Sequence, residues 1–113
     1  QGYRQHPTKH FIERQKRALE HPMILFNRKC PVQPKEQWRV YYVGGTTGNM
    51  YEVRIDRAPS CTCIDYIRQL ESCKHVIYVM QVVLHMREDW PGLWQKSLSE
   101  SQLKELIDAD MER

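Results

Sequence analysis

The sequence lacks any long apolar run. No stretch approaches the roughly 18 residues of a membrane-spanning helix, and the first residues are polar and basic rather than a signal peptide. Repeats and low-complexity tracts are also missing. With 113 residues, the chain has the length of one domain and hardly of two. We therefore expect one intracellular domain, nuclear or cytoplasmic, that makes no membrane contact.

Catalytic signatures are equally scarce. The sequence shows no glycine-rich phosphate loop, no constellation of paired acid and base groups and no Cys-x-x-Cys redox pair. We therefore expect that the chain is not an enzyme. Because the chain begins at Gln1 rather than at an initiator methionine, we also expect it to be a fragment of a longer protein, and we expect a monomer.

Charge is unevenly distributed. The net charge is +3, yet residues 1–29 carry seven basic and two acidic side chains, whereas residues 76–113 carry four basic and seven acidic ones. A basic end can face nucleic acid, although solvated surface is the plainer interpretation. Weak nucleic-acid binding would use these residues: Lys9, Arg14, Lys16, Arg17, Arg28, Lys29 and Arg39.

The N-terminal part predicts a helix and a strand. Over 8–20, apolar and neutral positions recur at three- and four-residue spacing, with Thr8 as N-cap and Pro22 as the stop. Residues 23–26 predict a short buried strand, and two prolines make 30–37 a loop. The inward stripe of the helix is predicted to comprise Phe11, Ile12, Gln15, Ala18 and Leu19.

The rest of the chain predicts a hairpin and two helices. Alternating residues over 38–43 and 50–55 predict a β-hairpin with a glycine-rich loop between its strands. Residues 76–87 are apolar around most of a helical circumference, which is typical of a central core helix. A last amphipathic helix is predicted from about residue 100, where Ser99 stands at capping-box spacing.

Three of the four cysteines lie within residues 61–75, together with a histidine. Cys61 and Cys63 are two residues apart, so in an extended segment both thiols face the same point. Cys73 and His75 repeat that spacing beyond a spacer of nine residues. Three thiolates and one imidazole satisfy tetrahedral Zn²⁺, with Zn–S near 2.3 Å and Zn–N about 2.0–2.1 Å. We predict one structural zinc ion bound by these four residues.

Other chemistries fit the cluster less well. A structural disulfide needs an oxidising compartment, a Cys–His nucleophile needs an orienting group and an oxyanion site, and an iron–sulfur cluster is the remaining alternative. His85 is excluded as a ligand because it lies ten residues beyond His75, roughly 15 Å along a helix. Cys30 could replace one of the ligands, but it is predicted instead to be a small buried hydrophobic residue.

A hairpin followed by Cys-x-Cys, a loop, Cys-x-His and an apolar helix resembles the SWIM zinc finger. The matching residues are Cys61, Cys63, Cys73 and His75, and the similarity extends to "TTGNMYEVRI", "CKHVIYVMQVVL" and "LWQKSLSESQLKEL". Together these segments resemble, over roughly residues 18–108, the eukaryotic SWIM proteins that also carry a RING finger. That subgroup contains ubiquitin ligases and a mitogen-activated kinase kinase kinase.

The resemblance implies a fold. We expect an α+β domain whose small zinc-stabilised ββα unit combines an antiparallel hairpin or three-stranded sheet with a central core helix. Within one compact domain, 1–22 would form a basic amphipathic helix, 23–88 the SWIM zinc-finger core and 89–113 a C-terminal helical extension. A RING needs about eight further Cys and His ligands, and none follows residue 85, so a RING would lie outside this chain.

Two functions are open at this point. The first is a protein-interaction module for substrate or partner recognition in a parent of the ubiquitin-ligase type. Its surface hints are Tyr41 and Met50 on the outer hairpin face and the pair Trp90 and Trp94, although aromatic residues of this size usually pack against a core. The alternative is a weak nucleic-acid-binding zinc module of a chromatin- or transposase-related protein.

Overall fold

The computed structural model describes residues 6–45, 48–69 and 71–113. Within them, four α-helices surround a four-stranded antiparallel sheet, so the predicted α+β class is confirmed. The strands are β1 (Ile24–Lys29), β2 (Arg39–Gly44), β3 (Met50–Ile55) and β4 (Ser60–Cys61). The helices are α1 (Lys9–Glu20), α2 (Ile64–Gln69), α3 (Lys74–Ile77) and α4 (Glu100–Met111). The predicted hairpin loop includes Thr46 and Thr47, which lie outside the described residues.

The sheet has more strands than the two or three that the sequence predicts. Its order is β1-β2-β3-β4, and every neighbouring pair is antiparallel. The extra strand β4 has two residues and pairs Cys61 with Val53 of β3. This short pairing matters for the site, because it attaches the first cysteine of the cluster directly to the sheet.

Two predictions about strand faces are wrong. Tyr41 is fully buried rather than exposed on the outer hairpin face, whereas Met50 is exposed as predicted. The strand predicted at 23–26 exists but is not buried, because β1 is the outer strand of the sheet. A register shift between Leu25 and Asn27 also breaks its alternation. Phe26 remains 56 % exposed.

Helix α1 buries a narrower stripe than its periodicity predicts. The hydroxyl of Thr8 accepts a hydrogen bond from the Phe11 amide at 3.1 Å, so the predicted N-cap is confirmed. Phe11 and Ala18 are buried, but Ile12 and Leu19 are 55 % and 60 % exposed. The helix packs mainly against the core helix described next, and this contact covers only one side of it.

The core helix begins and ends earlier than the predicted span 76–87. It consists of α3 and a π-helical continuation, Tyr78–Val83, and most of its apolar side chains are buried, with Val82 as the exposed exception. The chain leaves it through His85, whose φ is 61°. The amide of Met86 donates to the carbonyl of Met80 at 3.0 Å, which closes the helix end.

Replacing His85 with glycine is expected to stabilise the domain. Among the described residues, His85 is the one non-glycine residue with positive φ, and glycine adopts this conformation without a Cβ penalty. We expect His85→Gly to raise the free energy of unfolding by about 0.5–1 kcal/mol, measured by urea denaturation at saturating zinc. The control His10→Gly changes an exposed histidine inside α1 and should not stabilise. A loss of stability in His85→Gly would contradict this reading.

The C-terminal helix is attached to the sheet through one buried carboxylate. Helix α4 starts with the predicted capping box at Ser99. In its last turn, Asp110 is 2 % exposed and accepts hydrogen bonds from Arg28 of β1 and from two residues of β2, Arg39 and Tyr41. This network joins the last helix to two strands far away in sequence.

The two tryptophans pack rather than protrude. Trp90 and Trp94 are both partly buried against the hydrophobic core. The ring of Trp94 meets Phe11 of α1 edge to face, with 5.5 Å between ring centroids. Trp90 lies so close to Gly92 that a Cβ there would be 2.3 Å from its ring. These contacts favour the packing interpretation over an exposed aromatic pair.

Candidate zinc site

The structure brings the four predicted ligands together. The sulfur atoms of Cys61, Cys63 and Cys73 and a ring nitrogen of His75 all lie within 4.8 Å of one another. The Nδ1 atom of His75 is 3.8 Å from Cys61 Sγ and 3.7 Å from Cys73 Sγ. Among the described residues, this is the one cluster of three or more potential ligands.

These distances match a tetrahedral zinc site. Bonds of about 2.3 Å to sulfur and about 2.0 Å to nitrogen place tetrahedral ligand atoms about 3.5–3.8 Å apart. All four side chains are buried, with exposed fractions from 0 % to 7 %. In the described part of the chain, four donors converge without a fifth, and such a closed set is the form that structural zinc takes. The cluster is therefore compatible with one structural zinc ion.

Short local elements position each ligand. Cys61 is held by its pairing with β3, and the next residue continues this attachment because the amide of Thr62 donates to the Glu52 carbonyl at 3.1 Å. The amide of Tyr66 in α2 donates to Cys63 Sγ at 3.3 Å. Cys73 is the N-cap residue of α3. The segment predicted as a loop between the two ligand pairs therefore contains α2.

Electrostatics of the cluster favour a bound cation. The hydrogen bond with Cys63 raises the pKa of Cys61 to about 12. Hydrogen bonds with the other two thiols also raise the pKa of Cys73, whereas the same contacts lower the pKa of Cys63. Without a metal, these directions favour one thiolate, at Cys63, that accepts hydrogen bonds from two neutral thiols. A divalent cation compensates the repulsion and allows all three to be thiolates.

Two further contacts brace the cluster. The rings of Tyr51 and His75 lie 4.4 Å apart at an angle of 34°, which restricts the orientation of the imidazole. Next to Cys63, Asp65 of α2 accepts two hydrogen bonds from Arg14 of α1, at 2.9 Å and 2.7 Å. The hydrogen bond from Arg14 lowers the pKa of Asp65. Helix α1 thus holds the short helix that lies between the ligand pairs.

The two residues excluded from the predicted ligand set lie outside the cluster. His85 is not part of it. Cys30 is not part of it either, but its prediction as a buried hydrophobic residue is wrong, because its thiol is exposed. It follows directly on Lys29, the last residue of the outer strand β1.

Three of the seven predicted nucleic-acid contacts are internal ion pairs. Arg14 pairs with Asp65, and Arg28 and Arg39 pair with Asp110. Lys29 lies over the ring of Tyr42 at 5.4 Å. Neither carboxylate was predicted from the sequence, although the sequence contains a signal for Asp110. It falls on the apolar stripe of α4, four residues after Leu106, where a lone acid needs a buried partner.

Comparisons of the chain with protein-family models, with curated proteins and with solved structures gave no match. The zinc-finger character therefore rests on the cluster itself. No helix in the described part of the chain has the length and apolar character of a membrane span.

Proposed function

We propose that the chain is a zinc-stabilised recognition module in which Cys61, Cys63, Cys73 and His75 bind one structural zinc ion. The observation that carries this proposal is the closed, buried set of four donors within 4.8 Å. Such a site has no open position for water or substrate, so the metal braces the fold and does not activate a reactant. On the same ground we propose that the chain is not an enzyme.

The partner in this proposal is a protein. Support comes from the ion pairs that occupy Arg14, Arg28 and Arg39 internally and leave few cations for a phosphate backbone. Apolar side chains stand exposed next to the zinc cluster, among them Ile64 and Ile67 of α2. The SWIM type, a RING-containing parent and a role in an intracellular ubiquitin pathway extend the proposal, and the resemblance of the ligand motif supports them.

Metal analysis tests the zinc part. The purified chain is expected to contain one zinc per molecule, and cobalt substitution should give the spectrum of tetrahedral thiolate coordination. Cys73→Ser should abolish stoichiometric binding, because a hydroxyl replaces a thiolate ligand. Cys30→Ser is the matched control and should retain one zinc, since its thiol is exposed and outside the cluster. Loss of zinc in the control, or retention in Cys73→Ser, would refute the ligand assignment.

Peptide selection tests the recognition part. A random peptide library displayed on phage is selected on the zinc-loaded chain, and enriched peptides are measured individually by fluorescence anisotropy. Sequence-related peptides are expected to emerge. If none emerges while the same preparation binds duplex DNA with a steep salt dependence, the chain is instead a nucleic-acid-binding module, since each phosphate contact adds about −0.9 to the log–log salt slope.

A further inference from the structure

A cleft opens beside the zinc cluster, where the C-terminal end of α1 faces the starts of α2, β3 and the core helix. Two adjoining cavities of about 340 Å³ and 480 Å³ share four lining residues: His21, Tyr51, Lys74 and His75. We call this joined space the zinc-side cleft. Its walls come from segments that are distant in sequence, so only the folded chain forms it.

Two cations that line the zinc-side cleft have no carboxylate partner within the described chain. The ammonium of Lys74 lies 3.0 Å from Nδ1 of His21 and donates one hydrogen bond to it, which leaves its other hydrogens for a ligand. Arg17 lines the same cavity, and among the described residues its guanidinium makes no ion pair. Both cations are thus available to one incoming anion.

The carboxylate that lines the cleft is already paired. Both carboxylate oxygens of Asp65 accept from Arg14, and Glu71 lines neither of the two cavities. The zinc cluster carries one net negative charge by formal count, from three thiolates, a neutral imidazole and Zn²⁺. Because Arg17 and Lys74 exceed this charge, the cleft keeps a small positive excess, which suits a single carboxylate.

An apolar side chain borders the two cations. Ile64 lines the zinc-side cleft, and 62 % of its surface is exposed. Ile67 lies one turn further along α2 and is 57 % exposed. Helix α2 buries none of its residues, so this face has no partner within the described chain. An apolar surface next to a cationic cleft matches a peptide in which an acidic residue neighbours an aliphatic one.

We propose that the zinc-side cleft binds the carboxylate of an acidic residue in a protein partner, between Arg17 and Lys74, while a neighbouring aliphatic side chain of the partner packs on Ile64. This inference rests on the proposed function, which it deepens by naming the chemistry of the partner. A nucleic acid fits less well, because a phosphate backbone draws on many cations and the cleft offers two. Its aromatic residue, Tyr51, is already in contact with His75.

The selected peptides provide the test. They are expected to share an aspartate or glutamate beside Ile, Leu, Val or Met. Arg17→Ala and Lys74→Ala should each weaken their binding about tenfold, since each removes a charged hydrogen bond. The matched control is Lys16→Ala, which removes the cation next to Arg17 on α1 that does not line the cleft. Its effect should stay within about twofold. Circular dichroism and zinc content verify the fold of each variant.

The possible outcomes separate this inference from the proposed function. Peptides without an acidic residue, or peptides that bind Arg17→Ala as tightly as the unaltered chain, overturn the inference and leave the recognition module in place. Failure to select any peptide overturns both. Lys74 lies between the ligands Cys73 and His75, so Lys74→Ala could lose zinc. In that case Arg17→Ala alone tests the inference, because Arg17 lies on α1, away from the ligands.

Discussion

Removal of zinc is expected to unfold the domain. The ligands lie on short segments: Cys61 ends the two-residue strand β4, Cys63 directly precedes α2, which buries none of its six residues, and Cys73 and His75 lie at the start of the four-residue helix α3. Without the metal, three buried sulfur atoms and an imidazole would stay crowded within 4.8 Å. The segment from Cys61 to Cys73 would then lose its attachment, and the start of the core helix would follow.

The magnitude of zinc binding supports complete unfolding. Apparent zinc-binding free energies in small fingers are about 10–16 kcal/mol, whereas domains of this size are usually stable by about 5–15 kcal/mol in total. Binding energy of that order is folding energy, because the unfolded chain does not present the site. The apo chain should therefore have no measurable cooperative transition.

A strong chelator and Cys63→Ala provide two independent ways to remove the metal. Both should abolish the near-ultraviolet circular dichroism signal and the dispersion of amide resonances. Cys30→Ala is the control and should behave like the unaltered chain, because Cys30 is exposed and lies outside the cluster. A chain that keeps its native spectrum in excess chelator would show that the core suffices without zinc.

Asp110→Ala is expected to cause the largest loss of stability outside the zinc site, about 3–5 kcal/mol. The substitution removes the counter-charge of the Arg39 guanidinium. Because Arg39 is only 7 % exposed, water cannot replace the lost carboxylate. The substitution also removes the acceptor of the Tyr41 hydroxyl, which lies 2.7 Å from Asp110 Oδ1. Two buried polar groups on β2 would thus lose their partner at once.

The lowered pKa of Asp110 agrees with this expectation. Burial by itself would raise the pKa of the carboxyl, but hydrogen bonds from Arg28, Tyr41 and Arg39 outweigh it and lower the pKa to about 2. An unfolded aspartate has a pKa of about 3.9. The stabilisation is therefore complete at neutral pH and is lost as the pH falls from about 4 towards 2. Measurements at pH 7 capture all of it.

The matched control is Asp108→Ala, two residues earlier on the same helix. Asp108 is half exposed and pairs with Lys104 at 2.8 Å across one helical turn. Solvent screens an exposed pair of this kind, so its loss should change stability little. Urea denaturation of both variants at a fixed excess of zinc measures the difference. Equal effects of the two substitutions would show that the buried network contributes no more than a surface ion pair.

The sequence by itself determined the features that depend on neighbours along the chain. The Cys-x-Cys and Cys-x-His spacings predict one cluster, and the structure brings its members together. Likewise, a side chain cannot cap a helix more than a few residues away, so Thr8 and Ser99 were recognisable. Alternation predicted β2 and β3 to within a residue for the same reason.

Only the tertiary structure decided which sides of these elements are buried. Tyr41 and Arg39 lie inside because Asp110, about seventy residues later, supplies their acceptor, and no local pattern on β2 carries that information. For the same reason Arg14 is half of an ion pair with Asp65 rather than a free cation. The outer position of β1 leaves Phe26 exposed. Partners that are remote in sequence set burial and charge pairing, and local periodicity cannot report them.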